Sequence, residues 1–411
     1  MSTDGRSTDA IDAPAELESA GFVRLVARAD GDALAAGGLV ARALTARGTP
    51  FQVTVGRTVA ERTRRVRAAA ETAGARDLTL AIGPTDADVG RIDAGGDRPA
   101  TLAAVDLVRD LEETPDPVLA LAGLVAAGVE PGAGESEWLL ETARERGLVE
   151  RRPGVAVPTG DPADGIAHST RLSAPWSGDP DAAREAIATL GVAIESTDEL
   201  DEDDRRAIGS LVALDAVGDE DAATVASRSI GDALSPYATP EAPFETLGGY
   251  ADVLEAAART EPGTGAALSM GHDAREPTLA AWRAYGRAAH EALAGASTGR
   301  YDGLFVVDVD GGPVEAVARI AVSYRSPEPT VLAVGEAESA IAIREDRSLG
   351  PVVERIAREL EGGHDGSDDR GDDDGPTGVE YDVGRRRGYL RYGSSVDESA
   401  VVAAVRGVDR P

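Results

Sequence analysis

The stretch Phe22-Val23-Arg24-Leu25-Val26-Ala27-Arg28-Ala29-Asp30-Gly31-Asp32-Ala33-Leu34-Ala35-Ala36 decides how this chain folds. Phe22 to Val26 has the length and apolar composition of a buried strand, and from Ala33 to Ala46 the apolar residues recur at helical spacing. Between strand and helix stand two aspartates separated by one glycine. In open parallel sheets, ligands bind at the carboxyl ends of the strands, so Asp30 and Asp32 are the first candidates for a site. Two carboxylates one residue apart in such a turn can hold a hard divalent cation such as Mg²⁺ or Mn²⁺. A pair of such ions can clamp a phosphodiester and activate a water. The same residues also have a purely structural use. Asp32 is a good N-cap for the helix from Ala33, with Gly31 serving the turn.

Outward from this turn the alternation continues. Phe51 to Val55 reads as a second strand, Val59 to Ala73 as a second helix and Leu78 to Ile82 as a third strand. Strand and helix alternating at this spacing predict a doubly wound, parallel α/β sheet. Helices are expected at Leu102–Leu111, Val118–Ala127 and Glu137–Arg146, the last stopped by Gly147. The acidic stretch Asp198–Asp204 is placed near a domain junction, and a helical stretch then leads to Gly248. The second half has its own α/β pattern. Strands are expected at Leu304–Val309, Thr330–Val334, Ala340–Arg344 and Tyr389–Tyr392, and helices at Val314–Val322, Val352–Leu360 and Ser399–Val405. Residues 1–17 read as a loose tail and the Gly/Asp-rich run 362–376 as a mobile loop.

Composition bounds the chemistry. The chain has 411 residues, 42% of them hydrophobic, enough for two domains with a real core. No run approaches the roughly 18 apolar residues of a spanning helix, and the polar, acidic start has no apolar signal core. A soluble, cytoplasmic protein with no membrane partner is expected. Cysteine is absent, which excludes disulfides, cysteine nucleophiles and thiolate metal sites. The formal net charge is −32, and all 41 basic residues are arginine. An acidic, Lys-free, Ala/Gly/Asp-rich chain looks like a protein of a salt-loving archaeon. Charge alone argues against nucleic acid. At molar salt, however, the Debye length is about 3 Å, and local arginine clusters can still meet phosphates.

The motif around Asp30 resembles the archaeal RecJ-like branch of the DHH phosphoesterases, of the GINS-associated nuclease type. That family opens with His-x-Asp-x-Asp-Gly after its first strand, followed by small and aliphatic helical residues. Asp30, Asp32 and Leu34-Ala35-Ala36 match; Arg28 stands where the family has His, and Ala33 where it has Gly. The family places another aspartate after the third strand, where this chain reads Gly83-Pro84-Thr85, with Asp86 and Asp88 just beyond. Its namesake Asp-His-His falls in Asp93-Ala94-Gly95-Gly96-Asp97-Arg98-Pro99, which has no histidine. A further aspartate falls on Ala127, at the end of Gly123-Leu124-Val125-Ala126-Ala127.

Other segments extend the resemblance over roughly residues 20–360. They are Asp164-Gly165-Ile166-Ala167-His168-Ser169-Thr170 with Pro175-Trp176-Ser177-Gly178, then Phe244-Glu245-Thr246-Leu247, Leu254 to Arg259, and Gly265-Ala266-Ala267-Leu268-Ser269-Met270-Gly271-His272. Leu304 to Val334 resembles the family's accessory domain, which grips nucleic acid, and Gly362-Gly363-His364 is similar to the motif that ends it, although an acidic run follows here.

The resemblance implies a DHH domain over 18–215 and, over 216–411, a linker helix with a smaller α/β, DHHA1-like accessory domain. It implies single-strand exonucleolysis with Mn²⁺ or Mg²⁺, single-stranded DNA or RNA as ligand, and association with the GINS complex and the MCM helicase in replication and repair. The eukaryotic relative in that helicase assembly has a decayed nuclease site. A two-metal site needs roughly six to eight protein contacts, and two aspartates cannot supply them. Hydrolysis is therefore expected to be weak or lost, with Asp30 and Asp32 as the remnant. The alternatives are an active exonuclease in which Asp86, Asp88 or Asp97 joins them, or a DHH phosphoesterase for a small nucleotide. Gly362, Gly363, His364, Arg344, Arg385, Arg386 and Arg387 are the implied nucleic-acid contacts.

Three further readings are open in the sequence. His168, with Ser169 and Thr170, serves either a phosphate or an internal hydrogen bond. His272 reads as a loop ending a strand, and His290 as the surface of a helical stretch Ala280–Ala294. Arg385-Arg386-Arg387, beside Tyr389 and Tyr392, either meets phosphates and stacks a base or forms the turn before the last strand. The acidic loop 365–374 is a solvated insert or a mimic of phosphate. No serine triad, phosphate loop or dinucleotide glycine motif is present.

Overall fold

A computed structural model describes residues 13–92, 98–192, 200–345, 347–362, 378–393 and 396–408. Its first half is built on a parallel sheet in the order Phe51–Gly56, Phe22–Arg28, Asp77–Ile82, Gly90–Arg91. The register pairs Val23 with Phe51 and with Leu78, and Ala27 with Val55 and Ile82. The central strand buries Val23, Leu25, Val26 and Ala27, the continuous apolar run of a strand covered on both faces.

The helix Gly31–Ala46 leaves the end of this strand and is buried on nearly every side. Its residues are mostly Ala, Gly, Leu and Val, so neighbouring helices approach closely. It packs against Ala100–Asp110, Pro117–Ala126, Leu247–Thr260 and Pro262–Ser269. A helix apolar all round belongs in a core, and this one is the axle of the first half.

The second half carries a six-stranded mixed sheet in the order Glu380–Gly384, Arg387–Arg391, Glu338–Ile343, Thr330–Val334, Leu304–Asp308, Ser297–Tyr301. Both faces are covered. In Thr330–Val334, Val331 and Ala333 face the main core, which includes the helix Val314–Ile320. Leu332 and Val334 face a second core with Val353, Ile356 and Leu360 of the helix Gly350–Gly362 and Val401 and Val405 of Glu398–Val408. The long helix Arg275–Gly295 leads into this sheet.

The expected α/β class and parallel sheet are thus present. Several details differ. Ala13–Ser19, inside the expected tail, is a helix anchored by buried Leu17; residues 1–12 lie outside the described ones. A helix begins at Leu247 where one was expected to end near Gly248, because Thr246 accepts from the Gly249 N–H and caps it. His272 follows the helix Pro262–Ser269 and not a strand. His290 is buried at 4% exposure, since it lies on the inner face of Arg275–Gly295. Among the described residues no helix is long and apolar enough to cross a membrane.

Candidate functional site

A cleft of about 110 Å³ opens at the carboxyl ends of the first sheet's strands. Asp30, Asp32, Gly83 and Ala127 all line it, together with Arg28, Arg98, Arg385 and Arg387. The first four positions, at which the resemblance to RecJ-like proteins implies aspartates, therefore converge on one cleft. Two of them carry carboxylates; the other two have no donor side chain.

Both carboxylates are already engaged. The Asp30 Oδ1 accepts from the Ala33 N–H at 2.8 Å, so Asp30, in extended backbone, caps the helix Gly31–Ala46. This corrects the reading of Asp32 as the cap. Asp32 lies inside the first turn and points across the fold to another helix. Its oxygens accept from the Ala100 N–H at 2.8 Å, the Thr101 N–H at 2.9 Å and the Thr101 hydroxyl at 2.6 Å. Ala100 and Thr101 open the helix Ala100–Asp110, whose own preceding residue, Pro99, offers no side-chain cap. Asp32 supplies that missing acceptor from a distance. Burial, and after it the neighbouring charge of Asp30, raise the Asp32 carboxyl to about 7, against these three donors.

Arg28, at the end of the first strand, bridges Asp30 and Asp382. One guanidinium nitrogen stands 3.1 Å from Asp30 Oδ2, and Nε donates to Asp382 at 2.7 Å. Asp382 comes from the second half, on Glu380–Gly384, and is 1% exposed. Its other oxygen accepts from fully buried Arg62 at 2.6 Å. Burial opposes the charge on Arg28, but Asp382 and Asp30 overcome it and hold its pKa above the usual value. Burial likewise opposes the Asp382 carboxylate, and Arg28 and Arg62 overcome it and hold its pKa below the usual range.

Two glycines make room for Arg28. Gly83 follows Ile82, opposite Ala27, with φ +106°. A side chain there would begin 2.9 Å from the Arg28 Cβ and 3.4 Å from its Cδ. Gly384 lies against the guanidinium, and a Cβ there would sit 2.6 Å from one terminal nitrogen of Arg28. The residues present do not fit a two-metal centre. A cation at Asp30 would stand beside the Arg28 guanidinium, and both Asp32 oxygens are spent on backbone donors. Among the described residues no group of three or more His, Cys, Asp or Glu is placed to hold a metal.

A further buried carboxylate stands behind the cleft, bound to one of its lining residues, Arg387, and to the turn at Asp30. Glu255, buried on Leu247–Thr260, accepts from the Gly31 N–H at 2.9 Å and pairs with Arg387 at 2.8 Å and Arg259 at 3.3 Å. Burial works against its charge, but Arg387, Arg259 and Arg319 prevail and hold its pKa well below the carboxylate range. Arg387 also donates to the Ala126 carbonyl at 3.0 Å.

The remaining expected residues scatter. Asp86 and Asp88 are exposed and do not line the cleft. Asp97, Gly363, His364 and the acidic loop 365–374 lie outside the described residues, and Gly362 ends the helix Gly350–Gly362. Arg344 donates to the carbonyls of Val322 and Ser326 and so holds the turn Ala321–Arg325. Arg385 and Arg386 form the hairpin turn before Arg387–Arg391, with Arg386 at φ +63°. His168, 2% exposed, pairs with Asp164 at 3.0 Å, and Ser169 and Thr170 both donate to buried Asp252, as does the Trp282 indole. This is the internal role open to His168 in the sequence. Sequence reasoning missed Asp382 and Glu255. The alternation Val379, Tyr381, Val383 is a strand signal with Asp382 on its other face, and it stands beside the arginine run.

With this geometry in view, the comparisons fix the kinship. Residues 296–407 match the family model described as "Uncharacterized protein rrnAC1427, C-terminal domain". The chain is 43% identical over 377 residues to uncharacterized protein rrnAC1427 of Haloarcula marismortui, covering 90% of this chain and 95% of that one. The chain belongs to the rrnAC1427 family. Its fold is also that of CDC45: the crystal structure from Entamoeba histolytica aligns with a TM-score of 0.58 over 96% of this chain and 97% of that one, at 9% identity. The crystal structure of exonuclease RecJ bound to manganese aligns with a TM-score of 0.45, at 13% identity, over 97% and 94% of the two chains. The likeness to CDC45 is one of fold.

Proposed function

We propose that this chain is a non-hydrolytic RecJ-like protein that holds single-stranded DNA or RNA and a GINS- or MCM-type protein partner in replication or repair. The observation that carries the reading is Arg28, whose guanidinium joins Asp30 to Asp382 and sets a fixed positive charge beside the carboxylate a catalytic cation would use. Gly83 and Ala127 support it by bringing no donor side chain to the same cleft. The CDC45 fold supports a role as a structural component. Carboxylates engaged by Arg28 and by backbone donors are poorly disposed to hold the two cations that activate a water, while arginines at the cleft are suited to phosphate contacts. The domain boundary falls, on this proposal, near residue 215, with 216–411 forming the linker helix and accessory domain.

The test is binding of fluorescent oligothymidylate by anisotropy at molar KCl, with EDTA and then with Mn²⁺, followed by a gel of the recovered strand. Equal binding in both and an intact strand are expected. Binding that requires Mn²⁺, with shortening of the strand, points instead to an active exonuclease. A pull-down from extract that recovers neither GINS nor helicase subunits removes the partner half of the proposal.

A further inference from the structure

On one face between the two halves the ion pairs share a polarity. Arginines on the first half, at the ends of its strands and on the helix Val59–Glu71, meet carboxylates on the second. Arg28 and Arg62 share Asp382. Arg64 pairs with Glu380 at 2.7 Å, and the Thr58 hydroxyl donates to the same carboxylate at 2.8 Å. Arg57 reaches Glu315 at 2.9 Å and Glu338 at 3.2 Å, with its guanidinium 4.2 Å from the centre of the Tyr389 ring. Elsewhere between the halves the pairing also runs the other way, as in Arg387 with Glu255 at 2.8 Å, Arg319 with Asp252 at 3.7 Å and Arg325 with Asp219 at 3.7 Å.

A chain of net charge −32 has thus gathered Arg28, Arg57, Arg62 and Arg64 on one face and covered that face with its own acids. Buried pairs of this kind contribute little net stability against apolar packing of the same shape. They do something apolar packing cannot, because each carboxylate occupies donors that a phosphate oxygen also fits.

We infer that the Arg28–Arg57–Arg62–Arg64 face is a polyanion-binding surface held masked chiefly by the edge strand Glu380–Gly384, through Glu380 and Asp382, and that a phosphate backbone exchanges for these carboxylates when that strand lifts. This rests on the nucleic-acid reading above for the identity of its natural ligand, and on the contacts alone for the masking. A closed state favoured about tenfold lowers the apparent affinity for a strand about tenfold.

The experiment uses the full chain with two probes, oligothymidylate and tripolyphosphate. Asp382→Asn, verified as folded by circular dichroism and its thermal transition, is expected to bind both about tenfold more tightly than wild type. A second arm does not depend on weakening the core. Since the chain has no cysteine, Arg64→Cys with Glu380→Cys can be bridged by a short bismaleimide. Bridging is expected to abolish the binding seen in the unbridged double variant.

Equal affinity for both probes in wild type and Asp382→Asn, with bridged and unbridged protein also equal, overturns the masking and leaves the nucleic-acid reading standing. Tripolyphosphate binding that rises in Asp382→Asn and is lost on bridging, while oligothymidylate binds to none of the proteins, upholds the masking and removes the nucleic-acid reading.

Discussion

Arg28 and Asp382 stand 354 residues apart in the chain and 2.7 Å apart in space. This pair closes the cleft that the first strand opens. Removing one partner of a buried pair leaves the other charge uncompensated, at about 3–5 kcal/mol. Arg28→Ala is expected to lower the urea unfolding free energy by an amount in that range, with some relief from Arg62. Arg28→Lys is expected to recover little, because a single ammonium cannot reach Asp30 and Asp382 as a planar guanidinium does.

Gly83 offers a separate check. Gly83→Asp, which supplies the aspartate that the RecJ-like resemblance implies after the third strand, puts a side chain at φ +106° and against Arg28. A strained backbone of this sort costs about 1–3 kcal/mol. The variant is expected to lose thermal stability and to gain no Mn²⁺ binding by calorimetry.

The sequence made the first half legible because its signals are local. The run from Phe22 to Ala36 sets strand, turn and helix by composition alone, and the parallel sheet follows. Thr330–Val334 was equally plain because four apolar residues in a row, Val331 to Val334, fit a strand buried on both faces. What stayed hidden depends on contacts far apart in the chain. Asp32 looked like a cap for its own helix because its true partners, Ala100 and Thr101, are 68 and 69 residues away. His290 looked like surface because a single polar residue on a helix says nothing of which face it shares. The departures at Arg28, Gly83 and Ala127 were visible in the sequence. That they meet, and that Asp382 completes them, was not.

Asp32 makes stability depend on pH. Its carboxyl is raised by burial, and then by Asp30, to about 7 in the folded chain from an ordinary value of 3.8. A raised folded pKa means the native state holds the proton longer, so this contribution is fully present below about pH 4 and is lost as pH rises through about 7. Asp32→Asn is expected to remove that decline. Denaturation curves of the two proteins from pH 4 to pH 8 check it through their difference.

His290 acts in the opposite sense. Burial lowers its pKa to about 4 from 6.5, and its Nε2 stands 3.0 Å from the Ser169 carbonyl, which accepts a hydrogen bond from the N–H of the neutral ring. The unfolded chain therefore binds a proton that the folded chain does not, and stability falls as pH drops from about 6.5 through about 4. The loss is on the order of 3 kcal/mol. His290→Gln is expected to flatten this limb in acid titrations followed by tryptophan fluorescence.

The most direct measurement is cleavage. Purified protein is incubated with Mn²⁺ and end-labelled single-stranded DNA at high salt, alongside Asp30→Ala. With Arg28 seated between Asp30 and Asp382, the account predicts an intact strand in both reactions. Robust Mn²⁺-dependent cleavage by the wild type that disappears in Asp30→Ala would contradict it.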